Sequence, residues 1–396
     1  MSPIPRLRPY GGPALLTYGF RPFFLFGAIY AGLTVLAWLP MFYGELEVSS
    51  AFAPVDWHVH ELLYGFLPAI VAGFLLTAIP NWTGRLPIQG NPLLALFLVW
   101  LAGRICVTMS AAIGWLPTAA IDCGFLVLLI AACAREIVAG SNWRNLRVIG
   151  IVTLLLAGNI AFHIEAHLRG HAEFGTRIGI AAIVLLLALI GGRIIPSFTR
   201  NWLVRENPGR LPAPFSRFDG AAIVLSAVAL ALWIALPNGR LSAAALCLAA
   251  VLNAVRLARW AGDRTGRDRL VLILHVGYAF VPLGFLLAAL SALDIIVASA
   301  ALHAWMVGAA GTLTLAVMTR ASLGHTGNAL IASPATQAIY LAIVVAAVAR
   351  ICSSLEPAWS LWTLHIAAYA WAAAFLGFAA AYGPLLLRGR RGSSQS

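Results

Sequence analysis

Twelve stretches of this 396-residue chain are each apolar over about the 20 residues that an α-helix needs to cross a lipid bilayer. They run roughly over 17–41, 58–80, 91–112, 115–138, 146–168, 174–197, 218–236, 240–261, 269–292, 296–320, 334–353 and 357–387. Only 10% of the residues are charged and 61% are hydrophobic, whereas soluble domains carry about a quarter charged residues. The prediction is an all-α, polytopic membrane protein of about twelve transmembrane helices. No long polar stretch separates the runs, so residues 1–396 read as a single transmembrane helical domain with short polar termini. The opening "MSPIPRLRPYGGPALLTYGFRPF" lacks a charged start followed by a short apolar core and a small-residue cleavage site, so the first span is expected to stay as an anchor.

Charge sets the expected orientation. The formal net charge is +12 and every basic residue is arginine. Arg6, Arg8, Arg85, Arg135, Arg144, Arg147, the 200–217 and 256–269 segments, Arg320, Arg388, Arg390 and Arg391 all fall on one side of an alternating topology. By the positive-inside rule that side is cytoplasmic, with both termini there. Glu45, Glu47, Asp56, Glu173, Asp294 and Glu356 fall in the loops of the other side. Arginines lying between apolar runs argue for orientation and against a nucleic-acid partner. The five cysteines form no C-x-x-C pair, and four lie well inside apolar runs, which reads as small packing residues.

An internal echo links the spans. "LTAIPNWTGR" at 76–85 and "RIIPSFTRNWL" at 193–203 share Ile-Pro and Asn-Trp, and "AVMTRASLGHTG" at 316–327 closes the tenth span comparably. These segments recur about 120 residues apart and point to three four-helix units. The alternative is that Asn-Trp is only a cap plus an interfacial aromatic.

Nine histidines carry most of the chemistry. An ionisable side chain at bilayer depth costs about 2.5–3.5 kcal/mol on insertion scales, so it is expected to face a partner or a cavity. A metal is the partner that best uses several neutral imidazoles. The topology puts His58, His60 and Glu61 at the outer start of the second span and His163 and His167 at the outer end of the fifth. His303 and His365 lie in the outer third of the tenth and twelfth. His275 lies toward the inner end of the ninth span and His325 just past the tenth, apart from the others unless the ninth is broken near Pro282. His58 with Glu61, His60 with Tyr64 and His163 with His167 each have the spacing of one helical face. For "HVHE" the readings are metal ligation or a polar patch capping the helix. For His275 and His303 they are ligation or a helix–helix hydrogen bond. His167 and His171 read as a solvated face.

Embedded Arg104, Arg177 and Arg193 each want a bidentate anion. Porphyrin propionates would serve, and so would Glu61, Glu165 or Asp122.

Taken together, "WHVHELLYGF" (57–66), "GFLLTAIPNWTG" (73–84), "NIAFHIE" (159–165), "GGRIIPSFTRN" (191–201), "LHVGYAFVPLGF" (274–285) and "HAWMVGAAGTLTLAVMTRASLGHTG" (303–327) resemble the NnrS family of bacterial membrane proteins. The resemblance covers about residues 17–330, with no strong signature in the last two spans. It implies a twelve-helix inner-membrane protein binding haem b and copper and associated with nitric oxide. His58, His60, His163, His275, His303 and His325 stand in the family's histidine-bearing segments, undivided between haem and copper. His365 falls outside them.

Haem iron and copper both suit imidazole, so a histidine-rich, cysteine-poor site is compatible with either. Two such centres could couple two NO, with Glu61 or Tyr64 delivering protons: 2 NO + 2 e− + 2 H+ → N2O + H2O. The electron donor would be a quinol or a cytochrome, and NO could arrive through the bilayer. The alternatives are a copper or haem transporter and a membrane NO sensor. Copper(I) transport would favour Met and Cys ligands, of which only Met306 and Met318 lie embedded near a histidine.

Overall fold

The computed structural model describes residues 10–389, so Arg6, Arg8, Arg390 and Arg391 of the orientation argument lie outside the described residues. Twelve helices are long and apolar enough to span a membrane, and the described residues contain no strand. We number them α1 (Phe20–Phe42), α2 (Pro54–Thr83), α3 (Asn91–Thr108), α4 (Trp115–Ala139), α5 (Trp143–Arg169) and α6 (Phe174–Glu206). The second half holds α7 (Arg217–Ala235), α8 (Arg240–Arg264), α9 (Arg269–Ala292), α10 (Ala298–Thr326), α11 (Pro334–Leu355) and α12 (Pro357–Leu387).

Local chemistry sets the helix ends. Pro54 stands in the first turn of α2 and Pro334 in that of α11, where a missing N–H costs nothing. Asp268 accepts from the N–H groups of Leu270 and Val271 to cap α9. Ser216 and Asp219 form a capping box on α7. Gly84 and Gly170 close α2 and α5 in the left-handed region, with φ of 71° and 77°.

Some spans run further than the apolar runs predict. The second begins at Pro54 rather than 58 because Trp57 and His60 are buried and the polar residues between them are tolerated in a helical first turn. The sixth continues to Glu206 rather than 197, since a polar, arginine-bearing end can project beyond the bilayer. The third stops at Thr108, and Ser110–Ile113 forms a separate turn. Pro282 lies inside α9, which is continuous through it, so no break relocates His275.

Three spans contain a wide π-helical segment: Glu61–Phe66 in α2, Leu187–Gly191 in α6 and Ala304–Gly311 in α10. These are the spans that share the Ile-Pro/Asn-Trp echo or end comparably to it. A π turn leaves a carbonyl outside the regular ladder. In α2 the Gly65 carbonyl accepts from Trp100 Nε1 at 2.9 Å, and in α6 the Ala188 carbonyl accepts from Arg256 Nη2 at 3.2 Å.

The chain divides into two compact units. The first comprises α1–α5, the start of α6 to Gly179, Ala321–Ala329 and the end of α12 from Phe375. In it α2 is the most enclosed span, with 78% of its apolar window inside the protein against 39% for α3 and for α4. Arg21 of α1 is buried and donates from Nη1 to the carbonyls of Leu385, Leu386 and Arg388, at 3.3, 2.8 and 2.7 Å, satisfying the end of α12. The second unit comprises α6 from Ile180, α7–α9, α10 to Arg320, α11 and the first part of α12. Its polar core is Arg256, wholly buried, which donates to Tyr278 Oη at 2.7 Å and to Asn253 Oδ1 at 3.3 Å.

Candidate metal centre

The site of the first unit is built where α2 and α4 begin and where α3 and α5 finish. His60 closes the first, α-helical stretch of α2 and Glu61 opens the π segment. Neighbouring residues on a regular helix point about 100° apart, yet both side chains here are fully buried. Asp122 comes from α4 and is 2% exposed, and Asn159 and His163 come one turn apart from α5. Glycine lets the spans approach: a Cβ at Gly103 of α3 would lie 3.2 Å from Asp122 Cα, and one at Gly65 would overlap the Arg104 guanidinium.

Asp122 is the hub. Its Oδ2 lies 3.2 Å from His60 Nε2 and 3.0 Å from His163 Nε2, and it accepts from Asn159 Nδ2 at 2.7 Å. Its Oδ1 accepts from Arg104 Nη2. The other terminal nitrogen of Arg104 donates to Glu61 Oε2 at 2.7 Å, which also accepts from Tyr30 Oη. His60 Nδ1 is 3.2 Å from Glu61 Oε1, and His60 Nε2 is also 3.0 Å from Asn159 Oδ1. The imidazoles of His60 and His163 pack edge to face with centroids 5.0 Å apart. Phe52, Phe162 and Tyr64 close around them, with rings 5.2–5.6 Å from that of His60.

Charge explains the arrangement. Two carboxylates face one guanidinium in a region closed to water, which leaves one negative charge uncompensated. Both nitrogens of His60 face oxygens, an arrangement that a ring with a hydrogen on each nitrogen would satisfy. A monovalent cation such as copper(I) held at His60 Nε2, His163 Nε2 and an Asp122 oxygen would carry the charge of one proton, and a divalent ion one more. One ligand atom from each of these residues lies within 4.8 Å of the others, and this is the group of three potential ligands found among the described residues. Two imidazoles and a carboxylate suit a first-row transition ion such as copper.

The other expected residues lie elsewhere. His58 stacks on Trp38 with centroids 4.1 Å apart and is not a member of the His60–Asp122–His163 group. Tyr64 does face His60, and its hydroxyl donates to the Gly175 carbonyl at 2.7 Å. His167 is exposed and stacks on Trp115 at 4.3 Å, leaving His163 without it. His325 packs against Tyr18 and Phe20 at 5.4 Å from each. Arg177 pairs with Glu173 at 3.6 Å. In the second unit His275 Nε2 meets Thr199 Oγ1 at 2.8 Å, and its buried Nδ1 has no hydrogen-bond partner. His303 bonds to Ser299 one turn back, and Arg193 lies in α6 just past the π segment, half-buried. From the sequence Asp122 is only a possible partner for an arginine, Asn159 stands in the "NIAFHIE" motif without a role, and Tyr30 carries no signal. The signal for Asp122 was an acid set deep in the apolar run of the fourth span.

The twelve spans and the buried His-Asp-His group define a multi-pass helical membrane protein with a candidate metal centre. The chain matches the family model described as NnrS protein over residues 14–390, which includes the last two spans, and it belongs to the NnrS family. No curated protein matches it.

Proposed function

We propose that this protein holds a redox metal, copper by its donor set, at His60, Asp122 and His163 and acts there on nitric oxide, reducing two NO to N2O. The observation that carries the reading is the convergence of two imidazoles and a carboxylate from three spans in one buried, charge-compensated cluster. Family membership supports the nitric oxide assignment.

The metal would supply the electron relay and the coordination position for NO. The chain's own residues do the rest. Arg104 holds Asp122 and Glu61 in place, and Asn159 orients both Asp122 and His60. The phenyl rings of Phe52 and Phe162 exclude water while admitting a small apolar substrate from the lipid. Glu61, joined to His60 on one side and Tyr30 on the other, is placed to pass protons to the site. Tyr64 keeps its aromatic face toward His60 but commits its hydroxyl to Gly175, so proton delivery falls to Glu61.

Haem b does not fit this cluster: with rings packed directly against His60, the space is that of an ion, not a macrocycle. The arginine asymmetry supports cytoplasmic termini and a cluster in the outer half; the family reading adds a bacterial inner membrane and a quinol or cytochrome donor.

The test is purification without added chelator, metal analysis, and N2O measurement under a chemical reductant, for the wild type and for His60→Ala, His163→Ala and Asp122→Asn. Metal loss together with loss of N2O in all three supports the reading. A metal-free wild type, or variants that keep full metal and activity, refutes it. Metal-dependent flux into vesicles without N2O would instead assign the same site to transport.

A further inference from the structure

The second unit holds a cluster in which hydrogen-bond donors outnumber acceptors. Ser299 and His303 stand in the first turns of α10, and Arg350 and Ser354 in the last turns of α11. Arg350 donates from Nη1 to Ser354 Oγ at 2.8 Å and from Nη2 to Ser299 Oγ at 3.4 Å. Ser354 Oγ donates to Ser299 Oγ at 3.1 Å. His303 Nδ1 lies 2.7 Å from the Ser299 carbonyl, which can only accept, so that nitrogen carries a hydrogen and also donates toward Ser299 Oγ at 3.1 Å.

Ser299 Oγ thus faces the guanidinium, the Ser354 hydroxyl and His303 Nδ1, and the Ser354 hydroxyl also lies 3.3 Å from the Arg350 carbonyl, so the cluster offers only neutral acceptors to the guanidinium. The guanidinium has five N–H groups and uses two, both on neutral hydroxyls. Among the described residues Arg350 forms no ion pair. A cation held within a span, even in its last turns, normally has a counter-charge.

The first unit shows what the same pattern looks like when complete. His60 directly precedes the π segment of α2, and Arg104 on the next span places its terminal nitrogens on Glu61 and Asp122. His303 directly precedes the π segment of α10 and Arg350 lies on the next span, but Ala304 follows the histidine where α2 has Glu61, and the guanidinium meets hydroxyls rather than carboxylates. All four side chains are half-buried, so the cluster is reachable from outside.

We propose that Arg350, Ser299 and Ser354 form a binding site for a phosphate-type oxyanion at the membrane boundary where α10 begins and α11 ends. The guanidinium fork supplies charge and two or more donors, and the serine hydroxyls supply the rest, a donor set suited to a group with three or more acceptor oxygens. That chemistry comes either from a phospholipid headgroup, which the position at the span ends favours, or from free phosphate.

The test uses the full chain, stripped of lipid in uncharged detergent, with thermal unfolding followed by intrinsic fluorescence. Inorganic phosphate is compared with chloride at equal ionic strength, and phosphatidylglycerol mixed micelles with detergent alone. The wild type is expected to gain a few degrees in Tm with phosphate, phosphatidylglycerol or both, and Arg350→Gln to gain none. A lipid adduct that survives native mass spectrometry in the wild type, and is lost in Arg350→Gln, assigns the site to a headgroup. Stabilisation by phosphate without such an adduct assigns it to the free anion. Should Arg350→Gln fail to fold, Ser354→Ala and Arg350→Lys decide, each expected to keep less than half of the shift. A wild type indifferent to both ligands, or variants that respond as it does, overturns the proposal.

Discussion

Replacing Asp122 by asparagine changes one oxygen to an amide and almost no volume, so its effect isolates the hub of the cluster. One oxygen of Asp122 serves Arg104 and the other serves Asn159, His60 and His163. Whichever way an asparagine amide is turned, its NH2 meets donors, either the guanidinium or the three groups on the other side. Hydrogen bonds to a charged group are worth about 1.5–3 kcal/mol each. They are not additive, and removing one partner of a buried ion pair costs about 3–5 kcal/mol in total. Asn159→Ala removes one member of the same network and should cost about 1–2 kcal/mol. In detergent, the fall in Tm for Asp122→Asn should therefore be at least about twice that for Asn159→Ala, with metal content lost in the former. Arg104→Gln combined with Asp122→Asn should cost less than the sum of the two single changes, because each alone strands the other's charge. An Asp122→Asn protein as stable as Asn159→Ala, with metal retained, would refute the argument that this carboxylate organises the site.

His60→Ala and His163→Ala should each abolish metal binding, while His167→Ala, stacked on Trp115 outside the cluster, should leave metal content within error when measured by plasma mass spectrometry. Gly65→Ala places a Cβ on the Arg104 guanidinium and should lower both Tm and metal affinity, the latter about tenfold or more, by displacing the arginine that holds Asp122. In the second unit, Arg256→Met strips the Ala188 carbonyl and Tyr278 of their donor and should cost about 3 kcal/mol or more, read as reduced yield of folded protein, without altering the ligand set. Tyr278→Phe should cost only about 1–2 kcal/mol by the same measure.

The spans were legible because hydrocarbon demands long apolar runs, and all twelve helices contain a predicted run or most of one. Their ends were less so: Arg200 and Arg205 look like a loop, yet α6 carries them in helix beyond the apolar run. Within the site, His60 and His163 could be paired from topology alone, since the start of one span and the end of another share a depth. Asp122 was visible as an anomaly but not as a ligand, because residues from α3, α4 and α5 look alike until their faces are known. The π segments left no trace in periodicity. His60 and Tyr64 share a face, with ring centroids 5.6 Å apart, and His58 stacks on Trp38.

The clasp between Arg21 and the last turn of α12 ties α1 to the end of a span made 364 or more residues later. Until the ribosome has released residues 385–388, that guanidinium has none of its three acceptors. The first span must wait, its cation served by water, headgroups or insertion machinery, and the unit latches shut only when the far end of the polypeptide arrives. Without the last turn of α12 the first unit would keep a buried guanidinium stripped of its carbonyl acceptors, a charge stranded at its threshold.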